Sequence, residues 1–140
     1  ILVDKNDKKY IANVSNFAKN LGIAFQIKDD MLDYSLSSKH IGKPTLQDLR
    51  EGKITYPLYF AMKAGGKNDK KFLQSFLGVQ DKYDTSKVIN KIEALGGNHK
   101  TEELLINYIK KSKNLANKIE NKQVREEMLN LSKFSYERTK

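Results

Sequence analysis

Apolar residues recur at three- and four-residue spacing along almost the whole chain, strand-like alternation is nearly absent, and only two prolines interrupt the pattern. At about 100° per residue this spacing gathers apolar side chains on one helix face, so the pattern implies an all-α fold, expected as an antiparallel helical bundle. The first helix is predicted from near Asp7 to Tyr34, with Ile11, Val14, Phe17, Ala18, Leu21 and Ala24 at helical spacing. A polar, glycine-bearing loop is expected over Ser35 to Gln47. The next helix should open at Thr55, a good N-cap, carry Pro57 in its first turn and end at Gly65-Gly66. Shorter helices are predicted from about Asp69 to Leu77, stopped by Gly78, and from about Thr85 to Leu95, stopped by Gly96-Gly97. Two longer ones follow, from about Thr101 to Ile119 and from about Lys122 to Arg138. No repeat, linker or low-complexity block divides the chain, which reads as a single helical domain over residues 1–140.

Within the first predicted helix, residues 22 to 34, GIAFQIKDDMLDY, bring three aspartates into an otherwise apolar helical run. Gln26, Asp29, Asp30 and Asp33 stand at i, i+3, i+4 and i+7 and fall within one stripe, while Lys28 projects from the opposite side. Like charges at i, i+4 cost a few tenths of a kcal/mol on an exposed helix and more where water is scarce, so a cation should face them. Hard oxygen ligands suit Mg²⁺, which keeps several waters and is held by one or two carboxylates together with substrate phosphates. The rival reading is a solvated acidic face on a surface helix, since short acidic patterns are weakly specific.

Composition narrows the classes further. Hydrophobic residues make up 39% and charged residues 31%, which suits a globular domain. No apolar run reaches membrane-spanning length, so no transmembrane segment is expected. Cysteine is absent, which excludes disulfides and thiolate metal sites within the 140 residues. The net charge of +9 favours anionic partners. Lys67, Lys70, Lys71, Lys110, Lys111 and Lys113 read as a solvated face, and no nucleic-acid partner is expected because no reading-helix or base-stacking signature accompanies the charge. The Met and aromatic residues of the later helices read as core. Localisation is not encoded in what is visible.

The second informative segment, HIGKPTLQDLREGKITYP at residues 40 to 57, follows closely. Gly42 frees the backbone before Lys43, Pro44 fixes the turn after it, and Asp48, Arg50, Glu51, Gly52 and Lys53 form a second charged cluster. A loop returning Lys43 and Lys53 towards the carboxylates outlines a diphosphate site, with Lys acting as a point charge on a leaving group. Either lysine alone would read as an ordinary surface residue.

Together, Gly22-Ile-Ala-Phe-Gln-Ile-Lys-Asp-Asp-Met-Leu-Asp-Tyr34, then Gly42-Lys43, then Asp48-Leu-Arg-Glu-Gly-Lys53 with Thr55 and Pro57, resemble the trans-polyprenyl diphosphate synthases in order and spacing. The closing EEMLNLSKFSYERTK is similar to that family's last helix. The resemblance implies the C-terminal part of the isoprenoid synthase fold. It implies Asp29, Asp30 and Asp33 as the second aspartate-rich motif binding Mg²⁺ on an allylic diphosphate, the first aspartate above all. It further implies Phe25 and Gln26 lining the reaction centre, and Lys43 and Lys53 contacting the allylic diphosphate, with Gln26, Lys43 and Lys53 assigned to catalysis. The implied reaction condenses an allylic diphosphate with isopentenyl diphosphate in a trans-prenyltransferase that forms a homodimer when complete.

The sequence departs from that family by lacking a first aspartate-rich motif, the arginines that follow it and an upstream Lys-Thr pair; Asp4 and Asp7 do not match. It also starts without an initiator Met, and is expected to be a portion of a larger catalytic domain, inactive alone. A non-catalytic partner subunit of a prenyl synthase and a basic helical binding module are the alternatives. Product chain length is left open.

Overall fold

The computed structural model describes residues 8–35 and 46–138. All regular structure among them is helical: α1 (Lys8–Asp33), α2 (Gln47–Arg50), α3 (Tyr56–Ala64), α4 (Lys67–Gln74), α5 (Thr85–Ala94), α6 (Gly97–Ala116) and α7 (Lys122–Glu137). The described residues fall into two compact units, one comprising 8–28 with 104–138 and the other 29–35 with 46–103.

In the first unit, Phe17, Ala116, Ile119 and Met128 are buried together, with Tyr10, Val14, Leu21, Leu115, Val124 and Leu129 packed around them. They come from α1, from the end of α6 and the turn after it, and from α7, and fully burying a large apolar side chain contributes about 1.5–3 kcal/mol. The turn between α6 and α7 is tied twice. Arg125 Nη1 donates to the Ile119 carbonyl at 2.8 Å, and the N-cap Asn121 accepts the Val124 amide at 3.1 Å. Ser132 and Ser135 of α7 are buried, and Ser132 donates to the Met128 carbonyl one turn back.

The second unit has shorter elements around one cluster of Tyr34, Leu46, Leu49, Leu58, Ala61, Leu73, Val88, Ile89 and Ile92. Asp84 caps α5 by accepting the Ser86 amide, and Asp69 accepts the Gly66 amide at the start of α4 while pairing with Lys91 at 3.0 Å. Thr55 does precede α3, with Pro57 in the first turn, but its side chain makes no capping hydrogen bond.

Several boundaries differ from the sequence reading: α4 runs Lys67–Gln74 rather than about Asp69 to Leu77, and α6 runs Gly97–Ala116 rather than about Thr101 to Ile119. Gly96 takes a positive φ of 72° and ends the turn after α5, yet Gly97 opens α6 rather than extending the stop. A Cβ on Gly97 would collide with the Pro57 carbonyl oxygen and stand 2.8 Å from Ile92, so glycine is there for close approach. A further difference is α2, a single turn that begins at the last residue of the predicted loop, where no helix was expected. Most of that predicted loop, residues 36–45, lies outside the described residues.

Candidate functional site

Five of the candidate residues share α1, and helix geometry alone places Gln26, Asp29, Asp30 and Asp33 along one stripe. Their exposures differ. Phe25 and Gln26 are exposed, Asp29 and Asp33 are half-buried, and Asp30 is only 5% exposed. Lys28 points elsewhere, with its ammonium 5.7 Å from the centroid of the Tyr136 ring.

Phe25 has a partner that the sequence did not announce. The Arg138 guanidinium lies 3.5 Å from the Phe25 ring centroid, and its Nη2 donates to the Phe25 carbonyl at 3.3 Å. One ring face is thereby committed to a cation. The two residues are 113 positions apart, so no local signal could have revealed the contact.

At the last residue of α1, Asp33 is held by backbone amides. Its Oδ1 accepts from the Gln47 amide at 2.8 Å and its Oδ2 from the Asp48 amide at 3.0 Å. The Asp33 carbonyl also accepts the Leu46 amide at 3.0 Å. Leu46 sits at φ 60°, ψ 35°, a left-handed conformation that costs a non-glycine residue about 1–2 kcal/mol. Complete burial of its side chain and the three bonds to Asp33 offset that strain. Burial pushes the Asp33 carboxyl above its ordinary value; the two amides pull it down, and Asp48 and Asp30 add further upward pressure. Nearby, the Tyr34 hydroxyl is raised chiefly by burial, with the Thr55 hydroxyl opposing the shift. Neither hydroxyl makes a well-formed hydrogen bond.

The second cluster folds into a tight turn. The Lys53 amide donates to the Asp48 carbonyl at 2.8 Å, Gly52 takes φ 78°, and the Lys53 ammonium pairs with Glu51 at 2.6 Å and Asp48 at 3.3 Å. Lys53 is 59% exposed, and hydrogen bonds to Glu51 and then Asp48 raise its pKa while Glu51 is lowered in return. Arg50 is structural: it donates to the Gln80 and Asp81 carbonyls and stacks on Tyr83 at 4.6 Å. Lys43, the other expected phosphate contact, lies outside the described residues.

Among the described residues no three acidic or histidine side chains gather to hold a metal by themselves. The donor set still fits Mg²⁺, because an ion that keeps waters and takes phosphate oxygens needs only one or two carboxylates from the protein. A cavity of about 280 Å³ in the second unit, lined by Met31, Tyr34, Ser35, Ile89, Asn90, Glu93 and Asn98, contains none of the candidate residues. No helix among the described residues is long and apolar enough to cross a membrane.

Residues 1–95 match the family described as polyprenyl synthetase. A prenyl transferase of Cyanidium caldarium is 35% identical over 108 residues, covering 77% of this chain and 32% of that protein. The decaprenyl-diphosphate synthase of Dictyostelium discoideum is 33% identical over 131 residues, covering 93% of this chain and 28% of that protein. Among solved structures, the geranylgeranyl pyrophosphate synthetase of Pyrococcus horikoshii superposes with a TM-score of 0.85 at 30% identity, covering 95% of this chain and 41% of that one. A polyprenyl synthase of Caulobacter crescentus, solved with calcium and isoprenyl diphosphate, gives a TM-score of 0.80 at 28% identity over 92% of this chain and 40% of its own. The chain thus spans about two-fifths or less of the length of these proteins.

Proposed function

This chain belongs to the polyprenyl synthetase family and has its all-α fold, and we propose that it supplies one wall of a prenyl diphosphate synthase site that handles the allylic diphosphate. The observation carrying this reading is the arrangement along α1 and the turn tied to it. Exposed Phe25 and Gln26 precede Asp29 and Asp30 by one turn, and the turn bearing Lys53 is hydrogen-bonded to the same helix at Asp33. Asp29 and Asp30 hold the divalent cation, which when bound neutralises diphosphate oxygens. Lys53 and Lys43 contribute point charges to the same polyanion. Exposed ion pairs are worth about 0–1 kcal/mol, so turning Lys53 from Glu51 towards a diphosphate costs little. Phe25 and Gln26 border the reacting carbons.

In the reaction, the allylic C–O bond breaks with its electron pair leaving on diphosphate. The double bond of isopentenyl diphosphate then attacks the allylic carbon, and a proton leaves the neighbouring carbon to set the trans double bond. Electrostatic stabilisation of the departing diphosphate is the contribution assigned to this chain. The complete enzyme is proposed to act as a homodimer, and condensation is expected to need the remaining three-fifths of the family's length.

The test is incorporation of labelled isopentenyl diphosphate by a complete synthase carrying this segment, and by the 140-residue chain alone. Mg²⁺-dependent product from the first and none from the second is expected. Metal-independent turnover by the complete enzyme would sink the reading. Product from the chain alone would remove the need for a second wall.

A further inference from the structure

We propose that Asp33 is a positioning residue rather than a metal ligand: its carboxylate fastens the turn from Leu46 to Lys53 onto the carboxylate helix and fixes where Lys53 is delivered. The inference deepens the diphosphate-site reading above and rests on it. Both carboxylate oxygens are engaged, one on each of two successive amides, at 2.8 Å and 3.0 Å. The backbone of the same residue adds the bond from Leu46. A carboxylate bridging the first two amides of a helical turn does the work of an N-cap, here supplied from another helix, because Leu46 at the cap position has no side-chain acceptor. Contacts continue outward from Asp48, whose carbonyl accepts the Lys53 amide and whose Oδ1 lies 3.3 Å from the Lys53 ammonium. Asp33, Asp48 and Lys53 therefore form one mechanical chain.

Ligating Mg²⁺ places an opposing demand on the same group. Each oxygen keeps a second lone pair, but the two amides already fix the orientation of the carboxylate, so an ion that requires near-octahedral oxygens at about 2.0–2.1 Å must either accept that orientation or break the two bonds. Losing those bonds would release the strained Leu46 and the turn that carries Lys53. Asp29 and Asp30 belong to the wall proposed to hold the cation; Asp33 holds the basic turn against that wall.

The test uses the 140-residue chain, its Asp33→Asn, Asp33→Glu and Asp29→Asn variants, amide hydrogen exchange resolved by residue, and Mg²⁺ titration with inorganic diphosphate present. Asp33→Asn should speed exchange of the Gln47 and Asp48 amides by about tenfold, the equivalent of one charge-assisted hydrogen bond, while interior amides of α1 and α3 keep theirs. Its Mg²⁺ affinity should stay within about threefold of wild type, whereas Asp29→Asn should lose at least about tenfold and leave the two amides unchanged. If Asp33→Asn fails to fold, Asp33→Glu decides by the same two readouts. Unchanged exchange at Gln47 and Asp48, or a loss of Mg²⁺ affinity at Asp33 equal to that at Asp29, overturns the proposal. Should the wild-type chain take up no Mg²⁺ with diphosphate, the metal reading of the site fails, and amide exchange alone still decides the anchoring role.

Discussion

The stretch of α1 from Phe25 to Asp33 is held by different physics at its two ends. Around Phe25 and Lys28 the contacts are side-chain cation–π pairs with Arg138 and Tyr136 of the C-terminal region, more than a hundred residues away. Around Asp33 they are hydrogen bonds to backbone amides 14 and 15 residues on. A cation–π pair leaves both partners adjustable by rotamer, whereas a carboxylate on two adjacent amides fixes a turn's position and direction. The wall therefore has a compliant end next to the residues assigned to the reacting carbons and a rigid end next to the residues assigned to the leaving group.

The largest effect is expected between the two ends of the wall. In a complete synthase, Asp29→Ala should lower kcat by at least about a hundredfold, the typical loss for one preorganised electrostatic element, and wild-type kcat would remove α1 from the chemistry. Next in size is the rigid end. Asp33→Ala should destabilise the chain by about 1–2 kcal/mol, as loss of a helix cap does, read from chemical denaturation. Arg138→Ala, at the compliant end, should cost about 0.5–1 kcal/mol, and Phe25→Ala should cost little more when Arg138 is already absent. Additive losses in that double-mutant cycle would show that the stacked pair does not act as a unit. Smallest is Lys28→Ala, expected within about 0.5 kcal/mol of wild type and near neutral in kcat.

Asp33 and Asp69 respond to pH with opposite signs. Because burial holds the Asp33 carboxyl above 3.8, the folded chain binds that proton more tightly than the unfolded chain, and this group makes stability fall as pH rises through its folded pKa. The deficit of Asp33→Asn should accordingly shrink as pH rises from about 3.8 towards neutrality. Asp69 behaves oppositely: hydrogen bonds from Lys91 and then Gly66 lower its pKa, so its contribution is present above 3.8 and lost as pH falls through its folded value. Thermal melts across this range separate the two, and a deficit at Asp33 that grows with pH would mean that the amides outweigh burial.

Much of this protein was legible in the chain itself. The three- and four-residue spacing determined an all-helical fold, and the glycines and Pro57 placed most helix ends to within a few residues, because those signals act within one turn. The stripe of Gln26, Asp29, Asp30 and Asp33 was equally local, since helix geometry alone aligns i, i+3, i+4 and i+7. Tertiary structure decided what local rules do not reach. Gly97 reads as a helix stop until the Pro57 carbonyl oxygen is seen where its Cβ would stand. Asp33 reads as one of three equivalent carboxylates until the amides of Gln47 and Asp48 distinguish it. Arg138 carries no signal until the chain brings its guanidinium onto Phe25. In each case the deciding partner is remote in sequence and its effect depends on distances of a few ångströms, which residue spacing along a chain does not encode.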